Sequence, residues 1–366
     1  MSTNNRTGRK RDYVGVLSSV FAIVIGLLVG FVILLICNPS QALPGFVTIL
    51  TGAFTHGLKG VGQVFYYATP IILTGLSVGF AFKTGLFNIG TPGQFIVGAF
   101  AAVYVGIMWT GLGRIQWAVA LLAAILGGAL WGMVPGFLKA CDLVNEVIAS
   151  IMMNYIGMYM VNWIVKSYKP LFNNLRNESR NVAATAQIPK MGMDKLFPES
   201  SVGGGILLAI AAVLIIWVIL NKTTFGYELK AVGFNRDASR YAGINEKRNI
   251  IMSMVIAGAI AGMAGGLLYL AGTGKHIEIK DVLASEGFTG ISVALLGLSH
   301  PIGVLFSGLF IAYLTAGGFY LQLFEFSTEI IDIIVAVIIY FSAFALIVKT
   351  ILTRMNRKRE KGGGRT

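Results

Sequence analysis

Residues 249–271 read NIIMSMVIAGAIAGMAGGLLYLA, a run without one charged side chain. A helix needs about 20 mostly apolar residues to cross the hydrocarbon core of a bilayer, and this run is long enough. Within it Gly258, Gly262 and Gly266 recur at every fourth position, which sets them in a row along one helical face. Lipid supplies no hydrophobic force to drive helices together, so small residues that admit close backbone approach do much of the packing. The stretch therefore specifies a membrane helix with a glycine seam for a neighbour.

Comparable runs fill the rest of the chain, at 14–36, 61–82, 92–109, 117–138, 144–165, 203–221, 284–299, 302–322 and 330–350. The expected fold is an all-α integral membrane protein of about ten transmembrane helices. The run at 284–299 is the shortest. Pro92 opens the third, where its missing N–H costs nothing. Further rows of small residues stand at Gly128, Gly132 and Gly136 and at Gly75 and Gly79. Composition agrees: 55% of the 366 residues are hydrophobic and 12% charged, against about 25% charged in soluble domains, and mean hydropathy is +0.75.

The net charge of +13 sits in tails and loops between apolar runs, the pattern of the positive-inside rule and not of nucleic-acid binding. A basic tail over 1–13 (Arg6, Arg9, Lys10, Arg11) and another over 351–366 (Arg354, Arg357, Lys358, Arg359, Lys361, Arg365) place both termini in the cytoplasm, which requires an even number of spans in the membrane domain 14–350. The outer loop 166–202 carries as many Lys and Arg as the inner loop 222–248, but long loops translocate largely regardless of charge. The run 14–36 is longer than a signal-peptide core and reads as a retained span. Five spans per half would give halves of opposite topology, so two inverted five-helix halves are one reading; the echo between GLFNIGTPGQFIVGA (85–99) and EGFTGISVALLGLSHPIG (286–303) is faint.

Several chemistries lack their residues. Gly274–Lys275 resembles the end of a phosphate-binding loop, but Tyr269 and His276 break the GxxxxGK[ST] pattern at two places. His56, His276 and His300 have no metal-ligand spacing, and Cys37 and Cys141 form no disulfide framework. A membrane-embedded enzyme has no nucleophile, metal or base constellation to support it.

Four polar places remain. The Gly85–Gly93 stretch GLFNIGTPG forces irregular backbone beside apolar runs, either a turn or an interrupted helix at a solute site. Glu146, Ser150, Asn154 and Gly157 share a helical face in the fifth span, with Asn145 beside them. In 222–248, Asn235 or Asp237 is placed to cap a short helix running to Tyr241 and ending at Gly243: a solvated connector or a docking helix. The segment 272–288 is rich in charge (Lys275, His276, Glu278, Lys280, Asp281, Glu286) and reads as an outer loop or re-entrant piece.

GLFNIGTPGQ (85–94), NEVIASIMMNYI (145–156), GYELKAVGFNRDASRYAGI (226–244) and GFTGISVALLGLSHPIG (287–303), in that order across about 61–350, resemble the permease subunits of bacterial ABC importers for ribose-like sugars, branched-chain amino acids and nucleosides. The resemblance is strongest to the nucleoside group, linked to basic membrane lipoproteins. At Thr91–Pro92 the chain departs from an expected acidic residue. The resemblance implies a non-catalytic, pore-forming subunit in the cytoplasmic membrane that carries nucleosides by alternating access, with ribose-like sugars as the alternative cargo. An ion-coupled secondary carrier is the competing mechanism, with Glu146 and Asp332 as its few candidate carboxylates. Implied partners are a cytoplasmic ATPase that uses ATP and Mg, a second homologous permease chain, an extracytoplasmic substrate-binding lipoprotein and membrane lipid. The segment carrying Gly226, Gly233, Asn235, Asp237, Arg240, Tyr241, Ala242, Gly243 and Ile244 would dock into the ATPase. A nucleoside path needs aromatic faces and amide or hydroxyl partners; the expected lining is Phe87, Asn88, Gln94, Asn145, Glu146, Asn154, Phe288, Thr289 and Ser292.

Overall fold

The computed structural model describes residue 21, residues 23–327 and most positions from 329 to 341. The basic tails 1–13 and 351–366, the start of the first expected span and most of the tenth lie outside the described residues. The chain divides into two compact units, residues 54–313 and a smaller one from residues up to 53 together with those from 314 on.

The described helices are α1 (Ile23–Cys37), α2 (Ala42–Thr55), α3 (Gly57–Lys83), α4 (Thr91–Met108), α5 (Gln116–Ala140), α6 (Glu146–Ser167), α7 (Met193–Leu196), α8 (Gly205–Lys222), α9 (Thr224–Phe234), α10 (Arg236–Tyr241), α11 (Glu246–Tyr269), α12 (Ser285–Leu296) and α13 (Pro301–Phe319). Among the described residues, seven helices are long and apolar enough to cross a membrane: α3, α4, α5 with the 3₁₀ turn before it, α6, α8, α11 and α13 with the 3₁₀ turn after it. Seven of the expected runs thus match to within a few residues.

The larger unit is built around α11. The seam read from the sequence meets its partner there: a Cβ added at Gly128 would lie 2.7 Å from the Cα of Gly262, and one at Gly258 would strike the carbonyl of Gly128 and lie 3.1 Å from the Cα of Gly132. Any side chain at these positions would push α5 and α11 apart. Gly265 makes the same close approach to Phe95 and Ala99 of α4. The outside of the bundle is the bulky part. Leu122, Leu126, Leu130 and Phe137 of α5 and Ile148, Met152, Tyr159 and Trp163 of α6 are all exposed. Small and polar residues inside with large apolar ones outside is the arrangement lipid favours.

Two features depart from the expected spans. The segment between the first two runs contains α2, 14 residues long. The eighth run forms α12, only 12 residues, about 18 Å at the helical rise and too short to span. It stops at a tight turn in which Leu298 and Ser299 hold positive φ (55° and 52°) and the Ser299 N–H donates to the Ala294 carbonyl at 2.7 Å. α12 runs alongside the second half of α3: a Cβ on Gly290 would meet Thr74, one on Gly75 would meet Val293, and one on Gly79 would come 3.6 Å from Ser299. Its first turn therefore starts part-way along α3 instead of at a bundle end.

The smaller unit holds its helices by ring packing and glycine contacts. Phe31 and Phe46 lie 5.0 Å apart, and Gly45 admits the Phe326 ring.

Candidate functional site

α3 ends at Lys83, and Thr84 and Gly85 (φ +73°) turn the chain back. The next residues climb as irregular backbone, and α4 begins at Thr91. Buried irregular backbone must have its polar groups paired, and here side chains do the pairing. Asn88 Nδ2 donates to Gln94 Oε1 at 2.9 Å, and Gln94 Nε2 returns a bond to Asn88 Oδ1 at 3.2 Å. Asn88 Oδ1 also accepts the Gly90 N–H at 3.1 Å. From α6, Asn154 Oδ1 accepts the Gly93 N–H at 2.8 Å while its Nδ2 donates to the Ile89 carbonyl at 3.0 Å. The first turn of α4 has N–H groups with no partner inside the helix, and Asn154 supplies one. The Ser77 hydroxyl donates to the Ala257 carbonyl at 2.7 Å, and the Thr84 and Ser253 hydroxyls are bonded at 2.8 Å. The break is thereby tied to α6 and α11.

The second glycine-rich entry meets the first. A Cβ on Gly287, in the opening turn of α12, would lie 2.5 Å from Pro92 Cα. The starts of α4 and α12 abut in the interior, each beside an irregular approach, as in interrupted transporter helices.

Of the expected lining residues, the structure brings Asn88, Gln94 and Asn154 together, fully buried, with Asn88 and Gln94 bonded to each other and Asn154 bonded to the backbone of the break. Phe87 stacks on Phe82 at 5.3 Å. Ser292 is buried, whereas Phe288 is 42% exposed, with Thr289 beside it on the outer face of α12. Asn145 and Glu146 stand apart from this group. Asn145 caps α6, accepting the Val147 N–H at 2.8 Å, and Glu146 lies 2.9 Å from the Lys139 ammonium. Ser77, Thr84 and Ser253 were not expected; each is a lone hydroxyl in an apolar run, a weak signal by itself.

The segment 222–248 forms two helices. Thr223 caps α9 through the Gly226 N–H, and Asn235 caps α10 through the Ala238 N–H at 2.9 Å. Asn235 is thus the cap, Asp237 sits in the first turn of α10, and Gly243 ends the knob with φ +83°. Ala242 and Ile244 line an open groove with Tyr227 and Phe234. Phe234 and Tyr241 are 90% and 94% exposed, and Arg240 is exposed too. Gly226 folds the α8–α9 corner onto Leu220. Arg236 grips Asp142 in the α5–α6 turn with paired bonds of 2.6 and 3.1 Å, and that hydrogen bond holds the Asp142 carboxyl below the usual carboxylate range. At the root of the knob, Gly233 rests on the helix break: a Cβ there would lie 2.5 Å from the Lys83 carbonyl and 3.0 Å from the Gly85 nitrogen. The exposed knob and the interior break share a backbone contact.

Comparison with known proteins agrees with this architecture. The family profile described as branched-chain amino acid transport system / permease component matches residues 60–343. The chain is 38% identical to the guanosine ABC transporter permease protein NupP of Bacillus subtilis (strain 168), covering 93% of this chain and 96% of the relative. It is 34% identical to the nucleoside ABC transporter permease protein NupB of Lactococcus lactis subsp. cremoris (strain MG1363), covering 96% and 95%. It also matches a second permease of the former organism, the guanosine ABC transporter permease protein NupQ, at 29% over 68% of this chain and 77% of that one. No solved structure matches. A multi-pass helical bundle with this match over most of its length belongs to the permease-component family of the branched-chain amino acid transport system.

Proposed function

We propose that this chain is one of two permease subunits of an ATP-driven nucleoside importer, with both termini cytoplasmic and α9–α10 as the docking knob for a separate ATPase. The observation that carries the proposal is the knob itself. Two capped helices hold Phe234 and Tyr241 almost fully exposed, while Gly233 presses on the break that precedes α4. An ion-driven carrier has no use for an exposed aromatic knob braced against its own helix break. The nucleoside cargo is supported by similarity to NupP and NupB. The presence of both a NupP and a NupQ guanosine permease protein in one organism supports a second, related chain. ATP and Mg would act in the ATPase, and a binding lipoprotein would deliver solute to the side opposite the knob.

In this reading, closure of the ATPase dimer moves α9–α10. Gly233 passes that motion to Gly85, and the break shifts the abutting starts of α4 and α12, exchanging access between the two sides. The test is uptake of labelled guanosine and uridine in cells with and without the gene, under ATP depletion and, separately, under collapse of the proton gradient. Gene-dependent uptake that fails on ATP depletion and survives gradient collapse is expected. Uptake that follows the gradient would replace the ATP-driven reading with a secondary carrier.

A further inference from the structure

Between α11 and α12 the chain does not return to the bundle end and dive straight back. Residues 270–284 run as irregular backbone beside the 166–202 loop, with a single bridge from Glu278 to Glu178. There Phe172–Asn173 pairs with Glu178–Ser179 as a small hairpin, and Ser179 N–H donates to the Ile277 carbonyl at 2.9 Å. Ile277 N–H in turn donates to the Ser179 hydroxyl at 3.0 Å. These bonds stiffen one wall of a cavity of about 190 Å³, whose other walls come from α4, α6, the end of α11 and the first turn of α12.

Its lining is polar for a membrane-protein interior. Lys275 and Glu286 lie across it, ammonium to carboxylate 3.0 Å apart. Asn162 of α6 uses its amide N–H on the Lys280 carbonyl at 3.0 Å, and its own carbonyl oxygen has no donor among the described residues. Tyr269, the last residue of α11, lines the same space, and its hydroxyl makes no hydrogen bond among the described residues. Ile96 and Met158 supply an apolar side. A polar space of this size holds about six waters, the scale of one sugar ring and less than a whole nucleoside.

We propose that this cavity is a subsite for the vicinal hydroxyls of a ribose ring, bound by the Tyr269 hydroxyl, the Asn162 carbonyl and the Lys275–Glu286 pair. A carboxylate and an amide carbonyl only accept, an ammonium only donates, and a phenol does both. Neighbouring hydroxyls, each donor and acceptor, satisfy all four groups at once, while Ile96 and Met158 take the C–H face of the ring. The subsite rests on the nucleoside-import reading. It places sugar recognition on the side of the α4–α12 junction opposite the knob, and leaves the base to the exposed Phe288 face.

Tyr269→Phe tests the proposal cleanly, because the hydroxyl it removes bonds nothing in the empty protein. Membrane abundance and heat resistance should stay at wild type. Guanosine uptake, as Vmax/KM, should fall about five- to tenfold, the worth of one hydrogen bond. The 2′,3′-dideoxy analogue, scored as variant over wild type, should fall less; a wild type that rejects the analogue outright also supports a hydroxyl-reading site. Glu286→Gln, scored against its own abundance, should lose guanosine uptake at least as much. Guanosine uptake by Tyr269→Phe at the wild-type rate, or equal loss for both solutes, would overturn the subsite while leaving nucleoside import standing. A wild type that carries no nucleoside would overturn both readings.

Discussion

Two irregular segments enter the interior of this protein, and they solve the same problem differently. Around residues 85–93 nearly every polar group is spoken for. Asn88 and Gln94 bond each other, Asn154 bonds the backbone at Ile89 and Gly93, and all three are buried. Around residues 270–286 the Tyr269 hydroxyl and Asn162 carbonyl have no partner among the described residues, and they face an open cavity. Unpaired polar groups in a low-dielectric interior are costly, so a fold keeps them where something else pairs them. The first segment has the character of a sealed hinge and the second that of a receptacle. Their helices abut at Pro92 and Gly287, and in the proposed mechanism that contact carries motion of the hinge to the receptacle.

The largest effect should come from breaking the seal. Asn154→Leu strands the Gly93 N–H and the Ile89 carbonyl together, at about 1–3 kcal/mol for each buried unpaired group. A drop of several degrees or more in the melting temperature of the detergent-solubilised protein is expected, with reduced membrane abundance; an unchanged melt would show that the break is not sealed by these bonds. A smaller but still large effect is expected at Gly258→Leu, which forces α5 and α11 apart at their closest approach and should lower abundance more than the same change at exposed Gly111, for which an added Cβ meets nothing. Equal abundance would argue against the glycine seam.

The smallest effect belongs to the Arg236–Asp142 latch, which is exposed to solvent. Asp142→Asn should loosen the α10 end of the knob, slightly raising hydrogen exchange there at pH 7. The folded-state pKa of Asp142 lies below its ordinary value, so the charged latch contributes fully above the ordinary range near pH 4. That contribution is lost as pH falls through the lowered folded value. The difference between wild type and variant should therefore stay flat from pH 8 to 5 and close only in stronger acid. A difference that closes between pH 7 and 6 would point to another titrating group.

The long membrane helices were legible because each carries its own signal, a long apolar run with little or no charge, joined in α3, α5 and α11 by small residues four apart. The α5–α11 seam needed only those two rows to meet. Asn235 as a cap and Gly243 as a terminator were legible for the same local reason. What sequence alone did not carry was pairing across distance. Asn88 and Asn154 stood out as polar residues in apolar surroundings, but polarity does not say whether a side chain faces a solute or holds a backbone. Asn162 stands eight residues beyond Asn154 on the same helical face, a periodic hint at the cavity wall. The two-residue strands at 172–173 and 178–179 are too short for any period. α2 is broken up by Pro44, Gly45 and Gly52 and too short to read as a span. α12 reads as a crossing because only the four-residue turn Gly297–His300 separates its apolar residues from those of α13.

The central claim is that the exposed knob drives the interior hinge through the contact of Gly233 with Gly85. The most direct measurement is guanosine uptake and ATP hydrolysis, side by side, by the assembled transporter in proteoliposomes carrying Gly233→Val. The account predicts that uptake falls at least tenfold while ATP hydrolysis and subunit assembly persist, because the valine separates knob and break but leaves the exposed docking surface in place. Uptake and hydrolysis that remain coupled at the wild-type ratio would contradict it.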